Sequence, residues 1–172
     1  MADVNRIVPI IFGWEGEWAN DPIDRGGATM MGVTLETWKG CGYDKDGDGD
    51  IDADDLKLID KADVVYKILK PHYWDRWKAD NINNQSIANI LVDWVWGSGK
   101  WGIIIPQRIL GTDADGVVGP ITIAKVNDYD QKILFSLIKD ARIKFVEDLC
   151  KNDTSQLRFR NGWLNRINSF KF

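Results

Sequence analysis

Residues Trp14–Thr34 read WEGEWANDPIDRGGATMMGVT, and the reading of this stretch decides the reading of the chain. It holds Glu15 and Glu17, two of only four glutamates in 172 residues, beside Trp14 and Trp18. Upstream, apolar residues at positions 4, 7, 8, 11 and 12 share one helical face. Pro9 falls near the start of that helix, where its missing N–H costs least. Asn20-Asp21-Pro22 then breaks the helix, because a residue before proline is driven out of the α region, and Gly26-Gly27 permit positive φ. The following ATMMGVTLETW predicts a short strand or hairpin, with a new helix starting at Thr34. The stretch is therefore a helix end at Glu15, a turn carrying Asp24, and a returning segment carrying Thr29.

Those three residues suit acid–base chemistry. A carboxyl group set against aromatic surface loses hydration and keeps its proton toward neutral pH, which is what a general acid in glycoside cleavage needs. An Asp and a Thr facing it across a cleft would hold the attacking water. Competing chemistries lack parts. His72 is the only histidine, with no nucleophile motif near it, and one His with two distant Cys makes no zinc set. Cys41 and Cys150 could form a bridge, a question that spacing leaves open.

Outside this stretch the pattern is helical. KADVVYKILKPHYW places Ala62, Val65, Ile68 and Leu69 inward and predicts a helix ended or kinked at Pro71. NQSIANILVDWVWGSGKW is apolar on more than one side, as a central buried helix is. WGIIIPQRILGT and GPITIAKVND read as two short helices bracketing the turn DADGVVGP. The stretch 130–151 forms the clearest helix, and an amphipathic segment follows over about 155–168. No repeat and no linker are visible, so one mostly α domain is expected.

Residues 44–55, DKDGDGDIDADD, match the calcium-loop pattern D-x-[DN]-x-[DN]-G-x5 with a closing acid. Asp44, Asp46 and Asp48 supply oxygens at loop positions one, three and five; Gly49 makes the sharp turn. The Asp50 carbonyl, Asp52 through a water, and Asp55 complete the set. Asp55 stands where a Glu usually closes the site with both oxygens, and it is one methylene shorter. A structural Ca2+ is the expected cofactor. No helix is expected immediately upstream, where CGY precedes the loop, so a paired EF-hand is not.

The opening stretch resembles the E-G-G-Y…N-D-P-x-D-x-G-G-x-T-x-x-G-I-T signature of glycoside hydrolase family 108, N-acetylmuramidases of the phage endolysin and "secretion activator protein" type. The resemblance continues through PHYWDRWKAD and ILVDWVWGSG, and ends in PQRILGTDADGVVGPITIAKVN, similar to that family's predicted peptidoglycan-binding segment. It implies a lysozyme-like, mostly α fold; the small hairpin would lie near its active site, and the EF-hand-type loop at 44–55 looks like an insertion in that framework. Residues 1–100 would be the catalytic region and 101–172 the peptidoglycan-binding-like region, packed as one unit. It further implies cleavage of the MurNAc–GlcNAc β-1,4 bond, with Glu15 as the acid and Asp24 and Thr29 as its partners. Two positions depart from the pattern: Glu17 stands at the second Gly and Trp18 at the Tyr.

Nine tryptophans are many for this length, and sugars stack on flat aromatic faces. Trp18, Trp74 and Trp96 are the candidates for glycan contact, with Asp93 a candidate for lining the cleft. The net charge of −4 is local in origin: residues 44–55 hold seven Asp and one Lys, a local charge of −6, which leaves the remainder weakly positive. Such a distribution excludes a nucleic-acid binder. No apolar run approaches the roughly 20 residues of a membrane span. No signal peptide is visible, so the expectation is a monomer made in the cytoplasm that reaches the cell wall by holin-type release or another non-classical route. The rival reading is a non-catalytic peptidoglycan-binding or secretion-accessory protein that keeps the fold, with Glu17 its best support. A calcium sensor would need a second loop and a Met-rich groove, and there are three Met.

Overall fold

The computed structural model describes residues 1–16, 18 and 28–172. Asp24 and Glu17 lie outside the described residues. The chain divides into two compact units, Ile7–Tyr73 and Met1–Arg6 with Trp74–Phe172.

The first unit begins with α1 (Val8–Trp14), which has Pro9 in its first turn and Ile11 buried. An antiparallel hairpin follows, β1 (Thr29–Met30) and β2 (Val33–Thr34), with Thr29 opposite Thr34 and Met30 opposite Val33. Thr34 ends the hairpin and caps α2 (Leu35–Cys41), its hydroxyl accepting the Thr37 N–H at 3.1 Å. The acidic loop comes next and runs into α3 (Ala53–Leu58). Helix α4 (Lys61–Asp63) then continues without a break as a π-helix over Val64–Trp74. Asp52 and Asp60 each cap these helices with a capping box, closed by Asp55 and Asp63.

The structure bears on three expectations about this segment and overturns those for Ala62 and for the region upstream of the loop. Of the two outcomes expected at Pro71, an ended or a kinked helix, the first does not occur: Pro71 lies inside the π-helix. In an α-helix its ring would meet the carbonyl four residues back; the wider π turn relieves that contact. The same widening shifts the buried set to Val64, Val65, Ile68 and Leu69, so Ala62 is exposed. A helix also does lie upstream of the acidic loop: α2 reaches Cys41, and only Gly42 and Tyr43 separate it from Asp44. Gly42 is required there, because a Cβ would overlap the indole of Trp38.

The second unit is built on α5 (Gln85–Ser98), buried from Ile87 to Val95. The Asn84 side chain caps it, accepting from Ser86 and Ile87 N–H at 2.8 and 3.1 Å. Packed against α5 are α6 (Trp101–Leu110) and α8 (Gln131–Asn152), with α7 (Pro120–Asp128) beside α6 and α9 (Leu157–Ser169) beside α8. Gly102 lets α6 approach closely: a Cβ there would stand 2.5 Å from the Val95 nitrogen. Helix α8 buries Leu134, Ile138, Arg142, Val146 and Cys150, a stripe with a four-residue step. The expected mostly α fold with one small hairpin is what the described residues form. Cys41 and Cys150 are free thiols. Among the described residues no helix is long and apolar enough to cross a membrane.

Candidate active site

Glu15 is the residue after α1, and its backbone has left the helix (φ −86°, ψ 134°) while its N–H still donates to the Ile11 carbonyl at 3.1 Å. This geometry fixes the backbone of Glu15 to the helix and sends its side chain past the helix end. It is half-buried. What it meets there is the hairpin turn. Met31 and Gly32 both have positive φ, 49° and 79°, the combination a two-residue type I′ turn requires. A Cβ built on Gly32 would stand 2.6 Å from Glu15 Oε2, 2.7 Å from its Cδ and 2.8 Å from its Cγ. The terminal half of the Glu15 side chain therefore runs along bare backbone at Gly32.

Thr29 belongs to the same hairpin, half-buried and paired across from Thr34. The hairpin is tied to α2 by the Leu35 N–H, which donates to the Ala28 carbonyl at 3.0 Å. The structure thus sets Glu15 against the turn of the hairpin whose first strand bears Thr29. Asp24, the third member of the expected set, falls outside the described residues.

Trp14 and Trp18 flank Glu15 in sequence and are 41% and 36% exposed, so both offer ring surface to solvent. Lys57 of α3 holds its Nζ 5.3 Å from the Trp18 ring centroid and is paired with Asp54 at 2.6 Å. Sequence reasoning did not single out Lys57, and no local pattern in LKLIDK marks it. Gly32 was visible as the Gly of the G-V-T motif, but its contact with Glu15 was not.

Two expected site residues are corrected. Trp74 is fully buried, with its indole N–H donating to Asp80 Oδ1 at 2.7 Å, so it presents no face to a sugar. Asp93 is also fully buried and serves as an ion-pair hub. Arg142 Nη2 donates to it at 2.9 Å, and Arg166 donates through Nη2 at 2.7 Å and Nε at 3.1 Å. Burial pushes the Arg142 guanidinium below its ordinary value, and the Asp93 charge opposes that shift. Arg142 also donates to the Ile90 carbonyl at 3.2 Å and faces the rings of Trp94 and Phe170. Asp93 thus joins α5 to α8 and α9. Trp96, in the last turn of α5, is half-buried.

In the acidic loop, carboxylate oxygens of Asp44, Asp46 and Asp48 lie within 4.8 Å of one another, and those of Asp50, Asp52 and Asp55 do likewise. All are hard oxygen donors of the kind calcium takes. The charge of Asp48, then partial desolvation and the charges of Asp52 and Asp55, push the Asp50 carboxyl above its usual range. That is the expected signature of crowded like charge. Asp55 is different. It is fully buried and accepts N–H groups of Lys45 at 2.5 Å, Asp46 at 3.2 Å and Asp52 at 2.9 Å. The Asp52 N–H first, with those of Lys45 and Asp46, holds its carboxyl below the usual range.

Residues 8–99 match the family model described as glycosyl hydrolase 108, and residues 101–168 match the one described as predicted peptidoglycan domain. No curated protein matches the chain. Among solved structures the chain is similar to the one titled "Structure of Brucella abortus SagA". The two are 26% identical with a TM-score of 0.78, over 96% of this chain and 89% of that one.

Proposed function

Because the chain belongs to the glycosyl hydrolase 108 family, we propose that it cleaves the β-1,4 bond between N-acetylmuramic acid and N-acetylglucosamine, with Glu15 as general acid. The chain is a glycoside hydrolase, and the match of its C-terminal part to a peptidoglycan domain makes peptidoglycan its substrate. The observation that carries the finer reading is the placement of Glu15. It is a half-buried carboxyl group at a helix end, set against the backbone of a hairpin and flanked by two exposed tryptophans.

In this reading Glu15 protonates the leaving glycosidic oxygen as the bond breaks, while Asp24 and Thr29 hold the water that attacks the sugar carbon. The separation of the two carboxyl groups decides the stereochemical outcome, about 5–5.5 Å for retention and about 6.5–9.5 Å for inversion. Trp18 supplies a stacking face for the glycan in the first unit, and Trp96 in the second unit is proposed as a separate aromatic contact. Residues 1–100 carry the hydrolysis and residues 101–172 engage the wall polymer.

The acidic loop is proposed to bind Ca2+. Asp44, Asp46, Asp48 and the Asp50 carbonyl would hold it, with Asp52 acting through water and Asp55 closing the loop. The ion would neutralise the loop's crowded carboxylates, a structural role.

Reducing-sugar release from purified peptidoglycan tests the function. Wild type should release sugar ends, and Glu15→Gln should lose about 10²–10⁴-fold in rate, the usual contribution of a positioned general acid. Wild type that binds wall fragments yet leaves them uncut, with and without calcium, would replace this reading by the non-catalytic binding protein.

A further inference from the structure

We propose that Gly32 is the positioning residue for the acid: the bare backbone of the Met31–Gly32 turn sets where the Glu15 carboxyl group points. The proposal rests on the reading of Glu15 as general acid.

Glu15 can act as the acid only with its carboxyl group correctly aimed. Its backbone is fixed at the end of α1, but the side chain has three rotatable bonds, and only some rotamers would deliver the proton to a leaving oxygen. A contact with the turn narrows the choice among them. The contact at Gly32 has the right character, because Cγ, Cδ and Oε2 all lie 2.6–2.8 Å from the Cβ position. Three successive atoms meet the same spot, so the carboxyl arm lies along the turn rather than touching it with a flexible tip. No residue but glycine leaves that space open.

The turn is also well anchored. Pairing of Met30 with Val33 closes the hairpin across the turn, the Leu35 N–H ties its base to the Ala28 carbonyl, and Thr34 caps α2. The turn keeps Met31 at φ 49°, a conformation that a bulky residue avoids, so the surrounding structure dictates the turn and the turn's own residues do not. Rigid support is what a positioning contact requires, since misplacing a reacting group by about 1 Å can cost on the order of 10²-fold in rate.

The test combines kinetics and stability in Gly32→Ala, Glu15→Gln, Glu15→Ala and the double variant Glu15→Ala/Gly32→Ala. With purified peptidoglycan as substrate, Gly32→Ala should lower kcat by about 10²-fold with little change in KM, and should move the limb of the pH–rate profile that reports the acid. In thermal unfolding, Gly32→Ala should cost more in the wild-type background than in Glu15→Ala, where only the positive-φ strain remains. A Gly32→Ala protein that fails to fold, with the double variant folding, supports the contact equally. An active Glu15→Gln removes the acid reading itself and the proposal with it. If Glu15→Gln is dead but Gly32→Ala keeps kcat and the pH profile, the acid reading stands and the positioning role is refuted. An equal stability cost in both backgrounds, or a double variant that also fails to fold, likewise refutes it, since the harm would then come from the turn alone.

Discussion

Replacing Asp93 by Asn separates a structural carboxylate from a catalytic one. Asp93 receives two guanidinium groups of unequal exposure: the side chain of Arg142 is 6% exposed and that of Arg166 is 17% exposed. Arg166 can turn partly to water when its partner is neutralised; Arg142 cannot, enclosed as it is between Trp94, Phe170 and the Ile90 carbonyl. The cost is therefore mainly that of one uncompensated buried cation, about 3–5 kcal/mol. For a chain of this size, each kcal/mol shifts Tm by roughly 2–4 °C, so circular dichroism at the helical band should show a fall of roughly 6–20 °C. The paired apolar change Asp93→Leu with Arg142→Met should recover most of that loss, because burying hydrophobic groups instead of an ion pair is commonly neutral or better. Sugar release per folded molecule should stay within about twofold of wild type in both. A Tm change below about 2 °C together with lost hydrolysis would refute the reasoning and return Asp93 to the cleft.

Two further outcomes follow from local geometry. Saturating Ca2+ should stabilise the protein by about 2.7 kcal/mol at 100 times Kd, visible as a rise in Tm that EDTA reverses and that Asp44→Ala with Asp48→Ala abolishes; no shift with millimolar Ca2+ would dismiss the ion. Met31→Asn should raise stability by about 1 kcal/mol, since Asn tolerates the positive φ that Met31 adopts at 49°. A lower midpoint in urea unfolding for that variant would contradict the turn assignment.

Much of this was legible in the sequence, and the parts that were not have physical reasons. The helix periods of α5 and α8 follow from apolar spacing, and a strand or hairpin was expected in the stretch that forms β1 and β2. Pro71 was readable as a helix breaker, but periodicity at 3.6 residues carries no signal for a π turn that absorbs it. Trp74 and Trp18 are identical letters; only packing makes one a core residue bonded to Asp80 and the other 36% exposed. The Asp93 hub did have a signal. Arg142 sits at the centre of the stripe Leu134, Ile138, Val146 and Cys150, and Asp93 is the one charged residue of α5. A cation in the middle of one buried stripe and an anion in the middle of another call for each other.

That hub also shows that a buried carboxylate in this chain can be purely structural. Burial alone does not qualify a group as an acid, because Asp55, Asp63 and Asp93 are all more buried than Glu15. Each of those is met by donors in place: backbone N–H groups at Asp55, Lys45 with the Asp60 N–H at Asp63, and two arginines at Asp93. Donors of that kind favour the charged form and spend the oxygens on holding structure together. A general acid also needs a fixed position, with the carboxyl group aimed at the oxygen it protonates. A steric contact supplies position while adding no charge, and bare backbone at a glycine is the smallest group that can make one. Under the proposed mechanism, the missing side chain at Gly32 matters alongside the carboxyl group it faces.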